Sequence, residues 1–152
     1  MRVLPVLLSA FLVVSSDAFA KDVPEFLKGR VFSTDTASCG DVGEGDGLQL
    51  TREGIFGPEF SCTFLGFQTD QDPDTGRIWA VVANANCSDD SGISRPDNIA
   101  LSPYIEGGEV YVQSQNEYLL SEAEILVAQK LGQEIPEKSD YAWVSNTYKI
   151  CE

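Results

Sequence analysis

The sequence predicts a mainly β protein: a small antiparallel barrel or strongly curled sheet of 7–8 strands, with one late α-helix before the last strand. Three observations carry this. Short alternating or β-branched runs recur between clusters of turn residues. A long hairpin pattern occupies Ser61 to Cys87. One stretch, from Ser121, combines helical spacing with start and stop signals.

The first twenty residues have the pattern of a secretory signal peptide. Arg2 supplies the positive start, Val3 to Val14 the apolar run, and Ala18-Phe19-Ala20 the small-x-small cleavage site. The expectation is a signal at 1–20 followed by a single β-rich, disulfide-stabilised domain at 21–152, periplasmic or secreted. No later stretch is long enough to span a membrane as a helix.

Glu25-Phe26-Leu27-Lys28-Gly29 reads as a short turn, and Arg30 to Thr34 as the first strand. The segment Gly40 to Gly47 is glycine-rich, but no Gly-Lys-Ser/Thr follows and three acidic residues would repel phosphate. It reads as a loop. Leu48 to Arg52 alternates, with Leu48 and Leu50 inward, and Glu53-Gly54 turns the chain.

Two β-rich runs, Ser61 to Phe67 and Ile78 to Ala83, flank a turn-dense segment, Thr69 to Gly76. Opposed residues in a hairpin have a constant sum. A turn centred on Pro73-Asp74 gives a sum two below that of Cys62 and Cys87. One small bulge would then set those cysteines face to face, within disulfide reach. Pairing Cys62 with Cys87 leaves Cys39 with Cys151, tying the first strand to the last. Four cysteines in an exported chain most simply form two bonds, and their spacing does not resemble a zinc site.

Asn98 to Glu106 and Glu109 to Gln115 flank Gly107-Gly108, a hairpin signal because both glycines accept positive φ. This register opposes Ile105 to Val110 and Tyr104 to Tyr111. Pro103 cannot donate to a ladder, which argues for an edge or a bulge there and against a perfectly closed sheet.

The helix is expected over Ser121 to Leu131, with Ser121 and Glu124 as a capping box, Leu120 and Ile125 as a staple, and Gly132 as the stop. Ala123, Leu126, Val127 and Leu131 form a stripe expected to pack on the sheet. Tyr141 to Cys151 is the last strand.

This order of elements resembles lipocalin-like barrels, in which a helix also precedes a final strand. Gly29-Arg30-Val31 stands where lipocalins carry Gly-x-Trp, so the signature tryptophan is absent. Size and strand content also resemble small periplasmic protease inhibitors. No motif matches residue by residue, so no functional residue is carried over.

The chain has no histidine, which removes the usual general base and the commonest metal ligand. Paired cysteines leave no thiol nucleophile, and no serine sits in a Gly-x-Ser-x-Gly elbow. No catalytic residue and no cofactor is therefore assigned. Asp70, Asp72 and Asp74 resemble the front of a calcium loop. The glycine falls one place late, however, and Val81 stands where the bidentate Glu belongs, so the run is a weak candidate. Asn86-Cys87-Ser88 fits a glycosylation pattern, with a cysteine at its centre that makes it a poor acceptor. The net charge of −14 repels nucleic acid and anionic lipid and suits cationic partners.

The aromatic residues Trp79, Trp143, Phe64, Phe67, Tyr104, Tyr111 and Tyr148 are expected to be core or, in a barrel, the lining of a cavity. The expected function is that of an exported, non-enzymatic binding or inhibitory module acting through its surface or loops, with Gly40 to Gly47 or the N-terminal lead-in as inserting segments. The alternatives are a small-ligand carrier with a lipocalin-like cavity and a carboxylate-based hydrolase. The partner is an unknown protein or small ligand.

Overall fold

The computed structural model describes residues 22–35, 39–40, 46–76, 78–103, 108–135 and 143–152, apart from the side chains of Gln71 and Trp79. Eight antiparallel strands close into a barrel in sequence order: β1 (Phe32–Ser33), β2 (Gln49–Leu50), β3 (Gly54–Gly57), β4 (Phe60–Gln71), β5 (Ile78–Asp89), β6 (Ser94–Pro103), β7 (Glu109–Ser114) and β8 (Asn146–Ile150). The last strand pairs with the first, Ile150 opposite Phe32. One helix, α1 (Gln115–Leu131), lies between β7 and β8. Closure removes the exposed edges that an open sheet would present.

The barrel is lopsided, because β1 and β2 pair over two residues each while β4 and β5 run for twelve. Alternation sorts each strand into two faces. Phe32, Leu50, Ile55, Cys62, Phe64, Val81, Ala83, Ala85, Ile99, Leu101, Val110, Val112 and Tyr148 point inward and form one core. An eight-stranded barrel is just wide enough for such side chains to fill. A 3₁₀ turn, Glu25–Leu27, delivers the buried Leu27 into this core from the end where β1 starts. Val144 enters it from the end that carries α1.

Cys62 and Cys87 are bonded, as are Cys39 and Cys151, and no described cysteine is free. Two disulfides point to an oxidising compartment. Among the described residues, no helix is long and apolar enough to cross a membrane.

The central register differs from expectation in its route. The β4–β5 turn is centred between Asp74 and Thr75, since Gln71 opposes Ile78. Trp79 is then an extra residue on β5 and Leu65 an extra residue on β4. These two bulges cancel, and Cys62 meets Cys87.

The second hairpin is offset by two from expectation: Val110 opposes Pro103 and Tyr111 opposes Ser102. An offset of two keeps every side chain on its face. Pro103 closes the β6 ladder as its last residue, so it does not prevent closure. Tyr104 and Ile105 lie outside the described residues, as do most of Gly40 to Gly47 and part of the expected last strand. Strand β6 begins at Ser94, earlier than expected, and β8 begins only at Asn146.

Helix α1 starts six residues before the expected Ser121. Its N-cap is Ser114, whose Oγ accepts from the Glu117 amide. Gly132 ends it in the left-handed conformation, φ 64°, as expected. The expected stripe does not pack on the sheet: Ala123, Leu126, Val127 and Leu131 are exposed. The barrel side of α1 instead carries Glu117, Ser121, Glu124, Ile125 and Ala128, against β6 and β7. Starting the helix at Ser114 fixes its rotation through the Glu117 contacts described next.

Candidate functional site

The helix end of the barrel carries a cleft of about 210 Å³, with Phe60, Ile93, Arg95, Glu117 and Trp143 among its walls and Cys87 in its lining. These residues come from β4, β5, the β5–β6 turn, β6, α1 and the approach to β8. Only barrel closure brings them together.

A polar network holds this rim. Alternation turns Asp97 of β6 inward, where a bare carboxylate would be costly. Ser114 Oγ donates to its Oδ2 at 2.5 Å, and the Asn116 amide donates to its Oδ1 at 3.2 Å. Asn116 also donates to the Pro96 carbonyl from its side chain. Glu117, in the first turn of α1, accepts the backbone amides of Trp143, Val144 and Ser145, each at 2.7 Å. Ser145 Oγ accepts the Ser114 amide at 2.9 Å, closing the ring. One carboxylate thus does for the 143–145 segment what a helix N-cap does for a first turn, with charge-assisted bonds. Beneath it, the buried Tyr148 hydroxyl donates to the Val144 carbonyl at 3.0 Å, and burial raises its pKa.

On this frame stands an aromatic pair. Phe60 and Trp143 have ring centroids 5.5 Å apart with planes tilted by 35°. Trp143 is 50% exposed, and Ile93 is also exposed beside it. Asp89 supplies the outer carboxylate. Ser91 donates to it from both its hydroxyl and its amide, which holds its pKa below the usual value, with Arg95 contributing.

Three carboxylates therefore border one cleft, the arrangement a carboxylate hydrolase would need. Two of them are tied to backbone or hydroxyl donors of the frame, and Asp89 caps its own turn.

The other sequence candidates lie elsewhere. Asp72 accepts the amides of Asp74 and Thr75, closing the hairpin tip and lowering its own pKa. Asp70 sits in the β4–β5 ladder opposite Ala80. No group of three or more acidic, histidine or cysteine residues that could hold a metal occurs among the described residues. Phe64 and Tyr148 are core, Phe67 stacks edge-on against Phe64, and Tyr111 is exposed.

Sequence reading missed the cleft because its residues are scattered from Phe60 to Val144. One signal was available: Ser114-Gln115-Asn116-Glu117 is itself a Ser-x-x-Glu start, preceding the one at Ser121.

No family model matches this chain, and neither the curated proteins nor the solved structures give a match.

Proposed function

We propose that the protein is an exported, non-enzymatic binding module, periplasmic or secreted, that receives a lysine or arginine side chain of a partner protein in the rim cleft. The carrying observation is the half-exposed Trp143, paired with Phe60 and held at the cleft by the Glu117 bonds to its own segment. Exposed aromatics on a rigid frame are typical anchors of recognition. A volume near 210 Å³ is smaller than the roughly 300 Å³ lower range of whole-ligand pockets and suits one side chain. The aliphatic stem of a lysine or arginine would lie against Trp143 and Phe60, and a cation over an indole is favoured. Asp89 and the net charge of −14 complement such a partner and would speed its approach. The leader pattern and the two disulfides agree with an extracytoplasmic setting.

The test uses residues 21–152 in oxidised form on an array of random-sequence peptides. Bound peptides are expected to be enriched in lysine and arginine, with binding weakened about tenfold or more by Trp143→Ala. Absence of such enrichment, or equal binding by the variant, would overturn the reading.

A further inference from the structure

We propose that the outward face of β4 to β7, beside the start of α1, is a binding site for a neutral oligosaccharide. This surface is separate from the Trp143 cleft and does not depend on it. Four side-chain amides run across it in one hydrogen-bonded line. Gln68 Nε2 on β4 donates to Asn84 Oδ1 on β5 at 3.4 Å, Asn84 Nδ2 to Asn98 Oδ1 on β6 at 2.8 Å, and Asn98 Nδ2 to Gln115 Oε1 on α1 at 2.9 Å. Local structure sets this line. Asn84 and Asn98 are directly opposed in the β5–β6 ladder. Gly66 opposes Asn84 from β4, and a Cβ there would meet no atom within 4 Å, which leaves Gln68 room to reach across diagonally. The Ser114 cap starts α1 so that Gln115 meets Asn98. Beside Gln115 lies a shallow groove of about 240 Å³, lined by Ala100, Gln113, Gln115 and Tyr118. Ala100 opposes Gln113 in the β6–β7 ladder, and its short side chain keeps the floor low. Tyr118 stands half-exposed at the side.

These parts select the ligand. A side-chain amide has two N–H donors and two acceptor lone pairs, and Asn84 and Asn98 each spend one of each within the line. Each keeps a donor and an acceptor for adjacent hydroxyl groups, which themselves both donate and accept. The line fixes which way the amides point, so less freedom is lost on binding. The Tyr118 ring offers a flat apolar face to the C–H side of a sugar ring, with a hydroxyl at its tip. Charge excludes other occupants. The chain has 24 acidic and 10 basic residues, yet Gln68, Asn84, Asn98, Ala100, Gln113, Gln115 and Tyr118 are all neutral. Among the neighbouring acids, Asp70 lies opposite Ala80, Glu117 is committed to the 143–145 amides, and Glu122 follows Tyr118 by a full turn. A cationic partner finds no counter-charge in the line, an anion finds no cation, and an apolar partner would strand the amides. The groove falls short of the roughly 300 Å³ at which whole-ligand pockets begin, which suits one ring. Strands lie about 4.8 Å apart, so the line covers about 10 Å from β4 to β6 and serves the adjoining rings.

The experiment screens the oxidised chain 21–152 on an array of neutral and acidic oligosaccharides and titrates the best-bound neutral one by calorimetry. Binding to neutral members is expected, weakened about tenfold or more by Tyr118→Ala and, separately, by Asn98→Ala. Tyr118→Phe, which keeps the ring, should retain binding. Gln129→Ala, which removes an exposed amide away from the line, should leave it unchanged. The affinity should hold as salt rises from about 0.1 to 1 M, since no charge pair forms. Circular dichroism checks that each variant folds. Failure of every neutral oligosaccharide to bind, binding of acidic members alone, or unaltered binding by both alanine variants at Tyr118 and Asn98 would overturn the proposal. So would displacement of the bound sugar by a lysine-bearing peptide, which would place the sugar in the Trp143 cleft. Failure of the peptide array with success here would remove the cleft reading alone.

Discussion

Cys62 and Cys87 stand opposite each other across β4 and β5, Cα atoms 3.9 Å apart, because an extra residue on each strand cancels the other. Leu65 shifts the register one way and Trp79 shifts it back. The bond closes a separation of 25 residues, whereas Cys39–Cys151 closes 112. Loop-closure entropy assigns about 3–4 kcal/mol to the first and about 4.7 kcal/mol to the second. Paired Cys→Ala variants in guanidinium denaturation should follow that order. A larger loss for the Cys62–Cys87 pair would show that native-state packing, rather than chain entropy, dominates.

A second prediction concerns Gly54. A Cβ there would sit 1.9 Å from the Cys62 carbonyl oxygen, and its φ is 157°. The β2–β3 turn brings that backbone onto β4, and only a residue without a side chain fits. Gly54→Ala should cost about 2 kcal/mol or more. Gly66→Ala, with no atom within 4 Å of its Cβ, should stay within about 0.5 kcal/mol. Equal thermal stability of the two variants would refute the close approach.

The rim network makes a third. Glu117→Ala strips three amides of their acceptor and should cost about 3 kcal/mol, with faster hydrogen exchange at residues 143–145. Ser114→Ala, which loses the cap and a partner of Asp97, should cost about 1–2 kcal/mol. Ser121→Ala lies inside the helix and should be nearly neutral. A larger loss at Ser121 than at Ser114 would return the helix start to the later serine.

The fourth is a pH dependence at two turns. Asp72 and Asp89 both have lowered pKa values, from backbone amides at Asp72 and from the Ser91 hydroxyl and amide at Asp89. The order they confer is present above the ordinary aspartate value of about 3.9 and is lost as pH falls through the depressed values. In an amide NMR titration, the Thr75 and Ser91 signals should move with midpoints below that value while the barrel core is still folded. Midpoints at or above it would contradict the turn bonds.

Much of this fold was legible in the residues themselves. Turn chemistry and hairpin arithmetic put Cys62 beside Cys87, and Gly132 marked the end of α1. What escaped depended on distant parts of the chain. The two bulges cancel, so the cysteines meet with no trace in the spacing. The start of α1 was ambiguous between two Ser-x-x-Glu sequences, and Asp97, far away on β6, decides it by bonding Ser114 and Asn116. The apolar stripe has helical period whichever way it points, and the Glu117 contacts to 143–145 turn it outward. The cleft became visible only on closure, which sets Phe60 against Trp143 across eighty-three positions.

The most direct measurement follows the indole N–H of Trp143 in a nitrogen–proton spectrum while a lysine-bearing peptide from the array is added. A saturable shift is predicted at that signal and at the amides of Ile93 and Asn116, with the β4–β5 tip unmoved. Binding that left the Trp143 indole still, or that moved the tip instead, would contradict the rim cleft as the working surface.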